Sequence, residues 1–378
     1  MRKILFGASV YQHLAVFHQP FMKWFQEQGY EVHAIGNDSL GRKNELEEIG
    51  VICHDIDFDR LPFSRKNIEA LKQLKELFSN HFFDLIHVHT PTAAFLIRYM
   101  AKKAHQGKIV YTAHGFHFYK GASKKNWLVF YPAEKLAARW TDALIVMNKE
   151  DLLSGEKLGF KINKNLFLVN GVGVDLNEFM SNDNINNSIN KNYLKAELKL
   201  KEETVLFTCI AELSNRKNQF FLLENWRTIN SKMPNGHLIL VGKGPDEEKI
   251  RNFINMQHIE NVHLLGYRND VPKIINASDV ITLVSKQEGL PRCLMEGMAV
   301  GKPIICTDIR GSADLVSDKQ TGFLVKLGDN ENLIHKIIKL GEDNKLRQSF
   351  GNNAKIKIEN YSIENVLIDM ENIYRKYL

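Results

Sequence analysis

No stretch of the 378-residue chain comes near the ~20 consecutive apolar residues needed to cross a bilayer, so no transmembrane helix is expected. Cysteine is scarce. Cys53, Cys209, Cys293 and Cys306 stand far apart, in neither metal-binding nor redox spacing, and read as reduced, buried small hydrophobes. With 9 Pro, 24 Gly, 44% hydrophobic and 25% charged residues, the composition excludes a disordered, collagen-like or coiled-coil chain. Acid is nearly absent from one segment. Between Arg98 and Arg139 only Glu134 opposes Arg98, Lys102, Lys103, Lys108, Lys120, Lys124, Lys125, Lys135 and Arg139, so the modest net charge of +6 is concentrated there. Such a basic face suits an anionic partner: a phospholipid surface, a phosphorylated substrate or nucleic acid. No secretory leader is read. Met1, Arg2 and Lys3 precede the apolar ILFGASV, but Tyr11, Gln12 and His13 interrupt it, giving the first buried strand of a cytoplasmic protein.

Apolar, β-rich runs recur through the first half at 2–8, 31–36, 84–89, 108–113, 142–147 and 165–169, with helical patterns such as 66–79 between them. Strands apolar along their whole length and separated by helices predict parallel sheets covered on both faces. The segment 181–192 (SNDNINNSINKN) has almost no apolar side chain and reads as an exposed linker. The alternation restarts at 204–210, 236–241, 262–265, 279–284, 302–306 and 322–325. The expected fold is α/β: two doubly wound Rossmann-like domains, 1–180 and 193–362, facing one another across a cleft. A C-terminal helix over 363–378 is expected to pack back on the first domain. In sheets of this kind ligands bind beyond the carboxyl ends of the strands.

The most informative segment is 285–297, SKQEGLPRCLMEG, which follows a strand. Gly289 and Pro291 punctuate a loop, and a helix begins near Arg292 or Cys293. Its first backbone N–H groups and positive dipole end suit a phosphate. Glu288 in the loop and Glu296 one turn into the helix suit hydrogen bonds to sugar hydroxyls, although a solvated helix start can carry the same pair. Upstream, Arg216 and Lys217 in AELSNRKNQ sit at a strand-to-helix turn, where they either neutralise a diphosphate or form a solvated basic loop. Gly242 and Gly244 in VGKGP permit close backbone approach to a ligand. Gly266 and Tyr267 in LLGYRND can cover a flat base. In the first half, YTAHGFH places His114 at a strand end, in a structural or a functional role.

In this order along the chain, these segments resemble family 4 glycosyltransferases of the GT-B fold. The pair Glu288/Glu296 in QEGLPRCLMEGMAVGKPIICTDIRG, the lysine of AELSNRKNQ, the G-x-G-P of VGKGP and the GFLV segment carry the likeness. HVHTP, YTAHGFHFYKGASKKNWLVFYPAEK and DALIVMNKED resemble the branch that builds bacterial exopolysaccharide or capsule. The resemblance covers essentially the whole chain. It implies retaining, metal-independent transfer of a hexose or N-acetylhexosamine from a nucleotide diphosphate sugar, UDP-linked by family habit, without a cofactor. The acceptor it implies is an undecaprenyl-linked saccharide.

On that resemblance Glu288 binds the donor sugar hydroxyls, Glu296 the ribose, Lys217 the leaving diphosphate, and His114 the sugar near its 6-position. Gly289, Leu290, Pro291, Arg292 and Leu294 line the donor, Gly266, Tyr267 and Arg268 the base, and Gly7, Ser9 and His13 the acceptor side. One departure matters. Glu212 stands where many members carry a diphosphate-gripping Arg, so Arg216 or Arg292 supplies that charge, or Lys217 and the helix terminus act alone. The glycine-rich first turn is also reduced, to Gly7-Ala8-Ser9.

Other readings weigh less. DIDFD (55–59) contains a D-x-D pattern but reads as a solvated strand face. His87 and His89 in HVH share a strand face with no third ligand nearby in sequence, and packing is the simpler account. The aromatic and basic residues of 98–140, Trp127, Phe130, Tyr131 and Trp140 among them, suit either peripheral contact with an anionic membrane or a helix packed on its domain. A nucleotide-sugar 2-epimerase of the same fold would need acid/base carboxylates that the first half lacks. A membrane- or nucleic-acid-binding module would leave Glu288 and Glu296 unexplained, because carboxylates repel a phosphate polymer. A nucleic-acid partner is therefore not expected. The expected location is the cytoplasm, at the inner face of the cell membrane.

Overall fold

The computed structural model describes residues 1–59, 64–180 and 187–378, apart from the side chains at 180 and 187–191. The chain divides into two compact units, Met1–Gly173 with Ile363–Leu378, and Val174–Ser362. The division falls at Gly173 rather than at 180, and helix Leu176–Met180 belongs to the second unit.

The first unit is built on strands β1 (Lys3–Val10), β2 (Glu31–Asn37), β3 (Ile52–Asp55), β4 (Leu85–Val88), β5 (Lys108–Ala113), β6 (Ala143–Val146) and β7 (Leu166–Leu168). They form one parallel sheet in the order β3-β2-β1-β4-β5-β6-β7. Alternate residues feed two cores. Leu5, Ile35, Ile86, Tyr111 and Leu144 enter one face, and Ile4, Phe6, Ala34, Leu85, Val110 and Ile145 the other. That is why the strands read as continuous apolar runs. Strand β3 is absent from the reading above. At this sheet edge Ile52 is 44% exposed, and His54 and Asp55 are polar, so the short run carries little apolar signal. Helix Ile363–Arg375 lies in this unit, with Val366, Met370, Ile373 and Tyr374 buried in the second core.

The second unit contains β8 (Val205–Ile210), β9 (Gly236–Val241), β10 (Val262–Gly266), β11 (Val280–Leu283), β12 (Ile304–Thr307) and β13 (Gly322–Val325), again parallel, in the order β10-β9-β8-β11-β12-β13. In both sheets the chain reverses its direction of growth beside the first strand: between β1 and β4, and between β8 and β11. Those are the topological switch points, where loops diverge and leave room for a ligand. The linker expected over 181–192 needs correction. Residues 181–186 lie outside the described residues, but Asn187–Glu197 is helix. Downstream apolar residues explain it: Leu194 is fully buried against Leu206, Ile239 and Ile274, with Tyr193 packed beside it.

Candidate functional site

At the second unit's switch point, the loops after β8 and β11 are laced together. The Lys286 amide donates to the Arg216 carbonyl (2.8 Å), the Asn218 side-chain amide to the Val284 carbonyl (3.2 Å), and Lys286 Nζ to the Asn215 side chain (2.6 Å). This lacing brings Lys217 Nζ to 2.5 Å from Glu288 Oε1 and the Arg216 guanidinium to 3.6 Å from Glu288 Oε2. Glu288 is buried. Removing either partner of such a pair leaves a desolvated charge, so the arrangement is held on both sides. Arg310, after β12, adds a contact that the sequence reading missed: its Nε donates to the Glu288 carbonyl (3.2 Å). The only sequence signal for it is a lone arginine ahead of Gly311 in TDIRG. Ser214 and Ser285, in the same two loops, have buried hydroxyls without a hydrogen-bond partner.

Helix Arg292–Ala299 begins at Arg292, as expected, with Pro291 at its N-cap. Glu296 accepts from Arg292 Nε (2.9 Å), and burial pushes its carboxyl up to about 7 against the pull of that arginine. Arg292 is therefore placed on Glu296, and Arg216 on Glu288. Of the two cations considered as substitutes for the missing arginine, Arg216 is the one beside Lys217. Leu294 is fully buried in the core, so only its backbone can face a ligand; Leu290 and Gly289 are half-buried beside it.

Several glycines of the second unit stand close to neighbouring backbone. A Cβ on Gly242, whose φ is 140°, would lie 2.1 Å from the Ala211 carbonyl oxygen, and one on Gly244 would lie 2.3 Å from that of Leu213. Both positions lie against the neighbouring β8 loop, which leaves no room for a side chain. Gly311 lies as close beneath Gly289 (2.1 Å). Gly266 has φ 67° with little around it, and Tyr267 beyond it is 68% exposed, available to cover a base. Arg268 is instead committed to Asp270 (2.7 Å) and Glu197 (2.6 Å), with Tyr193 Oη accepting from its Nη2 (3.1 Å). It clamps helix Asn187–Glu197 to the loop after β10.

At the first unit's switch point the residues are neutral. Strand β1 runs through Gly7 and Ser9, so no glycine-rich turn exists there. A Cβ on Gly7 would meet Ile97 Cδ1 at 2.5 Å, which makes Gly7 a packing residue. Ser9 Oγ lies 3.0 Å from Thr90 Oγ1. His114 follows β5, and its Nε2 lies 3.3 Å from both His13 Nε2 and His89 Nδ1. His18 stacks on His89 with ring centroids 3.7 Å apart. The partners that HVH lacks in nearby sequence thus come from 71 or more positions upstream and 25 downstream. Burial holds His13 near 4 and pushes His18, His89 and His114 well below the usual histidine range, each of the last three also repelled by other rings of the group. Both His18 nitrogens and His89 Nε2 are buried without a partner, at a cost of roughly 1–3 kcal/mol for each such atom. His87 differs: its Nε2 meets Thr112 Oγ1 (2.7 Å) and its Nδ1 meets the Tyr374 hydroxyl (2.8 Å).

The acids of DIDFD do not converge. Asp55 pairs with Lys43 (2.6 Å) and Asp57 with Lys66 (3.0 Å). In the basic segment, Arg98 is buried on Glu134 (2.9 Å) and over the Tyr111 ring, so it does not belong to the surface. The other eight cations are exposed, and along helix Lys124–Ala137 so are Trp127, Leu128, Val129 and Leu136. Beside that helix, Pro91, Phe95, Leu96, Val129, Phe130 and Ala133 line an apolar groove of about 230 Å³. Among the described residues no helix is long and apolar enough to cross a membrane.

Comparison with known proteins agrees with this architecture. Residues 3–148 match the family described as Glycosyl transferase 4-like, and residues 190–357 match Glycosyl transferases group 1. The Bacillus subtilis (strain 168) protein named "Putative glycosyltransferase EpsD" is 32% identical over 100% of this chain and 97% of its own length. The Escherichia coli UDP-Gal:alpha-D-GlcNAc-diphosphoundecaprenol alpha-1,3-galactosyltransferase is 31% identical over 79% of this chain and 78% of its own. Among solved structures, Anabaena HepE in complex with UDP and glucose superposes with a TM-score of 0.80 at 20% identity, covering 100% of both chains, a likeness of fold. These matches supersede the epimerase and binding-module readings. The chain belongs to the family 4 glycosyltransferases, with the two Rossmann-like domains of the GT-B fold.

Proposed function

We propose that the protein is a retaining, metal-independent transferase that moves a hexose or N-acetylhexosamine from a UDP-sugar to an undecaprenyl-linked saccharide in capsule or exopolysaccharide synthesis. The observation that carries this reading is the ion-paired constellation of Lys217, Arg216 and Glu288 at the switch point of the second unit. It is preorganised for an anion flanked by hydroxyls. Breaking the anomeric C–O bond leaves an oxocarbenium-like sugar and a diphosphate that gains negative charge. Lys217, Arg216 and the start of helix Arg292–Ala299 stabilise that charge without reorganising. Glu288 takes the sugar hydroxyls and Glu296 the ribose, Tyr267 covers the base, and His114 contacts the sugar. The acceptor oxygen then bonds to the anomeric carbon on the face the diphosphate leaves, and its proton passes to the leaving phosphate oxygen.

The lipid-linked acceptor draws support from the first unit and from the named acceptors of relatives. The galactosyltransferase above acts on a diphosphoundecaprenol, as does a Campylobacter jejuni N-acetylgalactosaminyltransferase 25% identical to this chain. Exposed lysines around Trp127, Leu128 and Val129 suit peripheral contact with anionic headgroups at the inner face of the membrane. The test is transfer from a panel of nucleotide sugars to an undecaprenyl-diphosphate saccharide, with and without EDTA, and the anomeric configuration of the product read by NMR. An α-linked product from an α-linked UDP-sugar, formed equally well with EDTA, is expected. An inverted product, or a rate lost with EDTA and restored by Mn²⁺, overturns the mechanism.

A further inference from the structure

Four imidazoles meet at the first unit's switch point from three neighbouring strand ends: His13 and His18 after β1, His89 after β4 and His114 after β5. One ring nitrogen of each lies within 4.8 Å of one nitrogen of every other, and no other group of three or more potential ligands among the described residues does this. Two of the separations, from His114 Nε2 to His13 Nε2 and to His89 Nδ1, are 3.3 Å. A tetrahedral ion with Zn–N bonds of about 2.1 Å spaces its ligands about 3.4 Å apart, so these two separations already match its edges, and the others lie within 4.8 Å. His18 completes the set. It is 2% exposed, and neither of its nitrogens has a partner. A histidine kept only for packing would satisfy at least one nitrogen, as His87 does with both. His13 and His114 are half-buried, which leaves a way in for an ion from that side.

We propose that His13, His18, His89 and His114 form a site for a divalent transition-metal ion of the zinc class. Imidazole nitrogens in a tetrahedral set select Zn²⁺ and its neighbours over the hard cations Mg²⁺ and Ca²⁺, which take oxygen ligands. The transfer proposed above runs without this ion. An ion here takes the His114 Nε2 that the transfer reading gives to the donor sugar, so zinc slows transfer. That consequence rests on the transfer reading, whereas the site itself does not.

The test is titration of the chelator-stripped full-length protein with Co²⁺. The expected result is about one Co²⁺ per chain with the visible absorption of tetrahedral cobalt, displaced by Zn²⁺ and untouched by excess Mg²⁺. His13→Ala and His89→Gln abolish the signal, and His105→Ala and His258→Ala, at exposed positions, leave it intact. Thermal unfolding of each variant separates lost binding from lost structure. Failure of the wild-type protein to give the tetrahedral spectrum overturns the proposal without reliance on any variant, as does a spectrum that survives in folded His13→Ala. Stoichiometric binding with no slowing of transfer supports the site and removes His114 from the sugar.

Discussion

The two switch points occupy the same place in two sheets of the same design, yet they carry opposite chemistry. After β8 and β11 the loops converge charges: Lys217 and Arg216 on Glu288, with Arg310 on its carbonyl. After β1, β4 and β5 they converge imidazoles that burial keeps neutral. The difference teaches that a doubly wound sheet supplies position only, and the residues at the strand ends decide what is bound. On the proposed mechanism, fixed charge would act on a leaving group that gains charge during the reaction. Neutral rings can hydrogen-bond a hydroxyl or ligate a metal but add nothing to leaving-group stabilisation.

The sharpest way to break this comparison is to delete one member from each side. Lys217→Ala and Glu288→Gln should each lower turnover by about 10²–10³-fold, the scale of losing a preorganised electrostatic contact to the transition state. On the proposed reading, His114→Ala removes a neutral hydrogen bond to the sugar and should cost about tenfold. Steady-state kinetics on variants shown to be folded by thermal unfolding checks both. Equal losses on the two sides would erase the distinction.

A second prediction concerns how the charged loops are held. Gly242→Ala puts a Cβ against the Ala211 carbonyl at a φ that L residues rarely adopt, and should destabilise the protein by roughly 2–4 kcal/mol. Gly121→Ala, also at positive φ but with nothing within 4 Å, should cost only about 1 kcal/mol. Chemical denaturation reads the difference. If the two variants unfold alike, the contact between the β8 and β9 loops is not what Gly242 serves.

The strands were legible because burial on both faces makes them apolar runs, and β3 was not, because at the sheet edge His54 and Asp55 replace the apolar signal. The start of helix Arg292–Ala299 could be read from Gly289 and Pro291. The pairing of Lys217 with Glu288, 71 residues apart, could not be read from spacing, and the resemblance assigns the two residues roles without their contact. The glycines of VGKGP were recognisable as close-approach positions, but sequence does not show that the β8 loop is one of the neighbours that approach. The histidine group was illegible for a similar reason: HVH shows two rings on one face, while the others lie 71 or more residues upstream and 25 downstream. The segment 187–192 reads as linker because its asparagines hide a helix anchored further on, at Tyr193 and Leu194.

Glu296 offers a pH test on the charged side. Its carboxyl titrates near 7 in the folded state against 4.5 for an ordinary glutamate, because burial outweighs Arg292, with Glu178 adding to the rise. The folded state therefore binds the proton more tightly than the unfolded one. The stability this supplies is fully present below about pH 4.5 and is lost as pH rises to about 7, a change of about 3 kcal/mol. Glu296→Gln, which stays neutral and can still accept from Arg292, should raise the melting temperature by several degrees at pH 8 and leave it nearly unchanged at pH 5. A uniform shift at both values would mean that Glu296 is not buried as a charge. If Glu296 holds the ribose, the same variant also binds UDP more weakly.

The smallest expected effect lies inside the neutral cluster, where His87 and His18 are near neighbours with opposite accounts. His87 is satisfied on both nitrogens, and its bond to the Tyr374 hydroxyl ties helix Ile363–Arg375 to the sheet of the first unit. Tyr374→Phe keeps the ring, packed against Trp24 and Phe25, and strips only that bond, leaving His87 Nδ1 buried and unpartnered. The expected cost is about 1–2 kcal/mol. His18→Leu removes two nitrogens that have no partner to lose, so in the metal-stripped protein it should leave the melting temperature unchanged or raise it. The pair asks whether histidine in this core is there for packing. If His18→Leu destabilises the stripped protein as much as Tyr374→Phe does, His18 is a structural residue like His87. If the stripped protein tolerates it, the cluster keeps His18 for something other than the stability of the fold.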